Sequence, residues 1–354
     1  MKRLTVYLAR LFATDALLLF AVVSVLLWMI NCLRSFDVVS VKGQGLLTLA
    51  WQGLLTMPPL ALAFMYICVG IGLARALQAL QANHELHIIH TAHGLGALLR
   101  ATALVCALSV LAVLVMSNFV EPYASKQVRA LQASVAADLV STTLKPGRFT
   151  QVTPGVLLLI GGRSGVGEIN EFFADDRRDE KTRRTYIAKS ATISRDVDGY
   201  VLELRQGSIQ YIEDGRFSEV SFGRYDLGVE QLTQPAGQTD DMWNRDSVTL
   251  ITEAMATGVW SSELIKKLTE RLAEGLRVVG ICMLVLGFSG FPSGRRIGIA
   301  IPMEAVVLAL GIVERGVTAY SPLGPATGAM LMIIVGAVVL VFKMRPRALG
   351  SVAA

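Results

Sequence analysis

Six long apolar runs flank a charged central block, three on each side. The first three, residues 16–33, 46–73 and 101–120, are each long enough for a helix that crosses hydrocarbon, which needs about 20 mainly apolar residues. The last three, residues 278–291, 297–313 and 326–342, are shorter and more polar. The pattern predicts a membrane α-helical protein with six transmembrane helices, arranged three plus three around a water-exposed domain.

The central block changes its pattern twice. Residues 126–141 have helical periodicity, which predicts that the third helix continues beyond the bilayer. Seven short runs rich in β-branched and aromatic residues follow, at 149–152, 156–160, 169–173, 185–193, 200–205, 208–212 and 217–225. Such strands form a sandwich, a jelly roll or an open curled sheet. We therefore expect an all-β domain with helical flanks at 121–262, between helical segments at 1–120 and 263–354.

Charge is distributed unevenly along the chain. Of 61 charged residues, 42 lie between Glu121 and Glu274, where acids outnumber bases, so the net charge of +5 arises in the flanks. Cations next to the ends of membrane spans mark the cytoplasmic side. They are Lys2, Arg3, Arg10, Arg75, Arg100, Arg295, Arg296, Lys343, Arg345 and Arg347. Both termini are therefore expected in the cytoplasm and the central domain beyond the membrane, and nucleic acid is not expected as a partner.

The catalytic motifs with a specific spacing are missing from the sequence. Carboxylate pairs remain possible at Asp175-Asp176 and Asp179-Glu180, but these stand among arginines and a lysine, as in a solvated mixed-charge loop. No G-x-x-x-x-G-K-[ST] loop occurs to bind nucleotide phosphates. The glycine-rich segment 161–167 has no lysine and follows a predicted strand, so we interpret it as a hairpin loop. All histidines lie in the first half and all four cysteines in apolar runs, so the central domain has neither a His-based triad nor a disulfide. We expect no enzyme activity and no cofactor in this chain.

The histidines stand at a spacing of three, at His84, His87, His90 and His93. Steps of three drift by roughly 60° each around an α-helix, so the four cannot all reach one metal ion. The zinc-protease motif would need histidine at position 88, which is isoleucine. We predict no metal site and a polar helix face at the cytoplasmic surface.

The segment that carries these histidines is predicted to be a short cytoplasmic coupling helix at about 78–94, ended by Gly94. A transporter without a motor must receive force from a separate ATPase, and such a helix can transmit it. Glu85 offers a carboxylate to an arginine of that partner. The predicted coupling surface also contains Leu86, Ile88, Ile89 and His90.

At this point the chain resembles a known family, the YjgP/YjgQ-type permeases of lipopolysaccharide export, and within it the LptF-type subunits. The resemblance covers almost the whole chain. It rests on the three-plus-three arrangement and on Pro58-Pro59, Glu85-Leu86, Gly94-Leu95, Glu121-Pro122, the segment 200–207 and Asp241-Met242-Trp243-Asn244. Two features depart from the family pattern: the four histidines, and Glu274-Gly275 where the family often has a small residue and proline.

The resemblance implies a transport subunit in the bacterial inner membrane. It implies a heterodimer with an LptG-like permease, driven by an LptB-like ATPase dimer that binds ATP and Mg. Lipopolysaccharide would pass to LptC- and LptA-like proteins that bridge the periplasm. The central domain would be an open jelly roll whose apolar groove holds acyl chains and whose free edge accepts a strand.

This substrate suggests candidate phosphate ligands at the outer membrane surface. They are Arg34 after the first span, Lys42 nearby, and Arg315 at the outer end of the fifth span. The alternatives are interfacial anchoring by long cations and, for Glu314-Arg315, a neighbour pair with little effect. Glu304 is either a working intramembrane carboxylate or a protonated or snorkelling one.

Two other function classes fit part of the pattern. A membrane-anchored sensor or binding module explains an exported β domain but rarely needs six spans. Another ABC mechanotransmission or lipid-exporter subunit would also use a coupling helix, but its exported domain follows the first span. Co-purification of an ATPase and of lipid separates these classes.

Overall fold

A computed structural model describes residues 2–42, 46–92, 94–138, 146–153, 155–165, 168–179, 182–196, 199–213, 216–228, 245–292, 302–322 and 324–344. The chain divides into two units. The membrane unit comprises Met1–Ala124 and Asn244–Ala354, and the sheet unit comprises Ser125–Trp243. Each unit has an apolar core of its own.

Helices cover the apolar runs of the first half. They are α1 (Lys2–Lys42), α2 (Leu46–Leu55), α3 (Met57–Ala82), α4 (Glu85–Thr91), α5 (Leu95–Val115), a π-helical turn (Met116–Val120) and α6 (Glu121–Asp138). α1, α3 and the continuous helix that starts with α5 are long and apolar enough to cross a membrane. The three spans predicted before the central block therefore have helical counterparts.

The boundaries predicted for the second span, 46–73, are wrong, because the helix breaks at Thr56. Residues Leu46–Leu55 form the separate helix α2, and α3 begins at Met57. Pro58 and Pro59 stand in the first turn of α3, where proline's missing amide hydrogen costs nothing. The two prolines therefore begin a helix rather than kink one.

The second half contains α7 (Ser247–Thr257), α8 (Ser262–Ser289), α9 (Met303–Tyr320) and α10 (Thr327–Met344). Length and composition mark α8 and α10 as candidate spans. α9 has 18 residues but carries Glu304, Glu314 and Arg315. Its described residues begin at Met303, and the earlier part of the predicted span, residues 297–301, lies outside the described part. Glu304 is therefore in the first turn, where the helix dipole favours a carboxylate.

α3 and α8 are the most buried of the candidate spans. Close approach of neighbouring helices depends on glycine. A Cβ on Gly72 of α3 would lie 2.5 Å from the Cα of Ala16 on α1, and one on Gly280 of α8 would lie 2.8 Å from Met332 Cβ on α10. Larger residues would push these helix pairs apart.

The sheet unit is one antiparallel sheet with strands in chain order. The strands are β1 (Thr150–Thr153), β2 (Val156–Gly165), β3 (Glu168–Asp176), β4 (Thr182–Asp196), β5 (Gly199–Glu213) and β6 (Arg216–Gly228). The runs predicted as two strands, 200–205 and 208–212, form the single strand β5. The glycine-rich segment is also corrected: Gly161 to Gly165 belong to β2, and 166–167 lie outside the described part.

A crease crosses this sheet at one register row, formed by Gly161, Glu171, Lys189, Gln206 and Gly223. Glu171 and Gln206 have a left-handed backbone, with φ of 53°. Such a residue turns the strand, so the alternation of side chains changes phase there.

The buried side chains show this change of phase. On β5, Leu202 and Leu204 are buried before the crease and Ile209 after it; on β4, Ala188 is buried before it and Ala191 after it. All five join one apolar cluster. The predicted all-β domain is confirmed, as an open sheet that curls at the crease around an apolar interior.

Candidate functional site

A cluster of charged and polar side chains joins α3, α8 and α9 inside the membrane unit. We call it the ion cluster; it contains Tyr66, Glu274, Arg277, Glu314, Arg315 and Thr318. Arg277 Nε donates to Glu314 Oε1 at 2.8 Å, and the same guanidinium also donates to Glu274. The Glu314 side chain is 0% exposed.

Further hydrogen bonds satisfy the buried Glu314 carboxylate. Thr318 Oγ1 donates to its Oε1 at 2.9 Å. The Tyr66 hydroxyl lies 3.4 Å from its Oε2 and 3.1 Å from the Gly311 carbonyl oxygen, and can donate to either. A Cβ on Gly328 of α10 would lie 2.7 Å from Oε1, so glycine is needed to close the cluster. A buried charge this well bonded can persist in an apolar surrounding.

Arg315 is the member of the ion cluster that reaches the surface of the membrane unit. Its Nη1 lies 3.5 Å from Glu274 Oε1, and its guanidinium carbon lies 5.5 Å from the centre of the Tyr66 ring. The side chain is still 39% exposed. Glu274 and Tyr66 therefore orient a guanidinium whose remaining N–H groups can donate to a phosphate or carboxylate.

A second polar group ties α7 to α8. Arg271 donates to Ser247 Oγ at 2.6 Å and to the Arg245 carbonyl at 2.9 Å, and Ser247 bonds Asn118 in the π-helical turn. Arg271 is buried, so these bonds replace part of the water that its guanidinium loses, whereas its buried Nε makes no hydrogen bond to the described residues. We interpret this group as a structural brace for the start of α8.

The bounds predicted for the coupling helix, about 78–94, are wrong, because α3 continues to Ala82 and the left-handed His84 separates it from a shorter helix, α4, at Glu85–Thr91. Gly94 precedes α5 rather than ending α4.

The apolar side chains of α4 point in opposite directions. Leu86 and Ile89 are 0% and 7% exposed and belong to the core of the membrane unit, whereas Ile88 is 64% exposed. Of the apolar residues in the predicted coupling surface, Leu86 and Ile89 therefore hold α4 against its own bundle, and Ile88 is open to a partner.

His90 also faces the chain's own bundle. Its Nε2 lies 2.9 Å from the carbonyl oxygen of Gly290, which follows α8, and its ring is 5.6 Å from that of Phe291. Glu85 is half-buried and His87 exposed. Within the part of the chain that the structure describes, no three His, Cys, Asp or Glu side chains converge as metal ligands would; His93 lies outside that part.

The two other predicted phosphate ligands lie on α1, which continues unbroken to Lys42. Arg34 is exposed. The backbone of Lys42 is eight residues further, about 12 Å along the helix, and its side chain lies outside the described part. Of the two predicted ligands whose side chains the structure describes, Arg34 is exposed and Arg315 joins a cluster of polar partners.

Sequence reasoning missed Glu274, Arg277 and Tyr66. A signal was available for the first two. Lys267, Arg271, Glu274 and Arg277 recur at helical spacing within one helix, and charges repeated on one face next to an apolar run indicate buried ion pairs. Nothing in the sequence distinguishes Tyr66 from other aromatic residues of apolar spans.

Comparison with known proteins supplies the identity. No curated protein sequence matches the chain. Residues 6–345 match the family model described as lipopolysaccharide export system permease LptF/LptG. The match includes the helices on both sides of the sheet, the sheet itself and the ion cluster. The chain therefore belongs to the LptF/LptG family of lipopolysaccharide export permeases, multi-pass proteins of the bacterial inner membrane.

Proposed function

We propose that this chain is the LptF-type permease subunit of the ABC transporter that extracts lipopolysaccharide from the inner membrane. In this proposal it pairs with an LptG-like permease, and an LptB-like ATPase dimer binds the ATP and Mg. LptC- and LptA-like proteins accept the lipid. The observation that carries the role as an export permease is the family match, which extends through both units. The assignment to the LptF type rests on the sequence resemblance.

The proposed topology places both termini in the cytoplasm and the sheet unit in the periplasm. Arg10 near the start of α1, Arg75 near the end of α3, Arg100 near the start of α5 and Lys343 at the end of α10 support it. Neighbouring antiparallel helices bring these cations to one end of the bundle, and cytoplasmic ends are enriched in Lys and Arg.

In this topology α4 lies on the cytoplasmic side and contacts the ATPase. Glu85 and Ile88 would meet the partner, while Leu86, Ile89 and His90 fasten α4 to the bundle. Force applied to α4 would then reach α8 through the contact between His90 and Gly290.

The lipid-binding proposal concerns the opposite end of the bundle. Arg34, Lys42 and Arg315 would contact lipid A phosphates, with Arg315 oriented by Glu274 and Tyr66. The apolar interior of the curled sheet would take the acyl chains.

Subunit-specific complementation tests the proposal. Expression of this chain should restore growth and lipopolysaccharide export in cells depleted of their LptF-type subunit but not in cells depleted of LptG. Purification from the rescued cells should recover the partner permease, the ATPase and lipopolysaccharide. Rescue of the LptG-depleted cells alone would overturn the assignment to the LptF type.

A further inference from the structure

A cleft of about 500 Å³ opens on the surface of the membrane unit between α1, α3 and α5. It is separate from the ion cluster. Small side chains of α1 form one wall, namely Ala9, Ala13 and Ala16, and Val69 of α3 and Leu108 of α5 lie across from them. The cleft is therefore apolar along its length.

One end of this cleft is cationic. Arg10 lines it directly. Arg75 on α3 and Arg100 on α5 are exposed cations near the same end of the bundle, because α1 and α5 begin there and α3 ends there. An apolar slot with cations at one end complements an anionic headgroup that carries an acyl chain.

The part of the cleft beyond Arg10 matches one leaflet. The cleft extends along α1 from Val6 to Phe20, a rise of about 21 Å, and from Arg10 to Phe20 the rise is about 15 Å, close to half the thickness of a hydrocarbon core. The cation at one end and an apolar length close to one leaflet therefore favour an anionic lipid over a protein helix.

We infer that the cleft binds one acyl chain of an anionic glycerophospholipid whose phosphate contacts Arg10. The identity of the leaflet, the cytoplasmic one, rests on the topology proposed above. A lipid bound there would be distinct from the exported lipid, which the proposed function places at the other end of the bundle.

The experiment uses the purified transporter complex and a photoactivatable phosphatidylglycerol with a diazirine in one acyl chain. Arg10→Gln removes the cation and Ala13→Phe fills the cleft. The matched controls are Arg3→Gln and Leu18→Phe, because both residues lie on α1, are exposed and do not line the cleft. Labelled peptides are identified by mass spectrometry.

We expect labelling of α1 and α5 peptides in the parent complex. Labelling should fall roughly fivefold in Arg10→Gln, the effect of one interfacial cation, and be lost in Ala13→Phe. Both controls should label like the parent.

Equal labelling in Ala13→Phe and in the parent would overturn the inference. Competition by lipopolysaccharide as strong as that by unlabelled phosphatidylglycerol would also overturn it. So would a crosslinker at residue 13 that captures a co-purified membrane protein in place of lipid. Complementation of depleted cells tests the proposed function separately. Loss of lipid labelling therefore does not imply loss of complementation, or the reverse.

Discussion

Buried charge concentrates in the ion cluster, where two arginines and two glutamates balance. Ionised side chains in apolar surroundings are costly unless each is paired and hydrogen-bonded. Glu314 is the best satisfied, with bonds from Arg277 and Thr318. Arg315 keeps part of its guanidinium exposed. The ion cluster therefore holds one partly exposed cation, the guanidinium of Arg315, in a fixed position.

Removal of Glu314 should destabilise the membrane unit. Glu314→Ala leaves Arg277 buried with Glu274 as its remaining carboxylate, and we expect a loss of about 3 kcal/mol in unfolding free energy. The double substitution Arg277→Met with Glu314→Leu should recover most of that loss, because no buried charge remains. Thermal unfolding in detergent measures both. Glu304→Ala is the control, and an equal loss there would contradict the assignment.

Lipid capture depends on Arg34 in the proposed function. A guanidinium can hold phosphate through paired hydrogen bonds that lysine cannot reproduce. We expect Arg34→Glu to impair crosslinking to lipopolysaccharide more than Arg34→Lys, while basal ATP hydrolysis by the complex survives. Wild-type crosslinking in Arg34→Glu would show that Arg34 is an interfacial anchor only.

In the sheet unit, Asp175 links stability to pH. Burial raises its pKa, but hydrogen bonds from Arg183, Arg177 and Thr185 outweigh burial and hold the pKa below its ordinary value. The ionised carboxylate therefore stabilises the sheet above the unfolded-state pKa of about 3.9, and this stabilisation is lost as pH falls through the folded-state pKa.

Asp175→Asn should lower the unfolding temperature of the full chain at pH 7, and the difference from the parent should shrink progressively as pH falls below about 3.9. Far-UV circular dichroism across that range measures the effect. Asp226→Asn is the matched control, since Asp226 is also paired with an arginine but is about half exposed. A gap between parent and Asp175→Asn that persists unchanged at low pH would contradict this linkage.

The element proposed to contact the ATPase is α4. It has two faces, one packed into the core through Leu86 and Ile89 and one open at His87 and Ile88. Because α4 has seven residues, its position depends on these core contacts rather than on helix propensity.

Charge reversal on α4 should uncouple the ATPase. Truncating one partner of a buried interfacial ion pair typically costs 2–5 kcal/mol, and a rim pair costs less. We expect Glu85→Arg to reduce recovery of the ATPase with the permease and to block export, with Glu85→Ala weaker. Glu263→Arg, on an exposed turn of α8, is the control. Co-purification at the parent ratio from Glu85→Arg would reject the coupling role.

At the level of the whole molecule, acyl chains are proposed to pass through the interior of the curled sheet. The crease then predicts a specific pattern of crosslinked positions along β5. Crosslinkers along β5 should label with lipopolysaccharide at Leu202 and Leu204 but not at Val201 and Glu203, since side chains alternate between faces. Beyond Gln206 the labelled positions should become odd, starting at Ile209. Labelling that continues at even positions, or is uniform during ATP turnover, would argue against transport through the interior.

The sequence by itself determined the membrane helices, the β domain between them and the resemblance to the export permeases. Apolar length and β-branched runs are local properties, so they can be read without coordinates. The same reasoning placed Glu85 on a helix and Arg315 next to Glu314.

Tertiary structure decided what depends on partners distant in the chain. Leu86 and Ile88 are both apolar and two residues apart, yet one is buried and the other exposed, because the bundle covers only one face of α4. Two predicted strands became one because neighbouring strands pair with β5 on both sides of Gln206. Arg277 and Glu314 are 37 residues apart in the sequence, and only the packing of α8 against α9 makes them a pair.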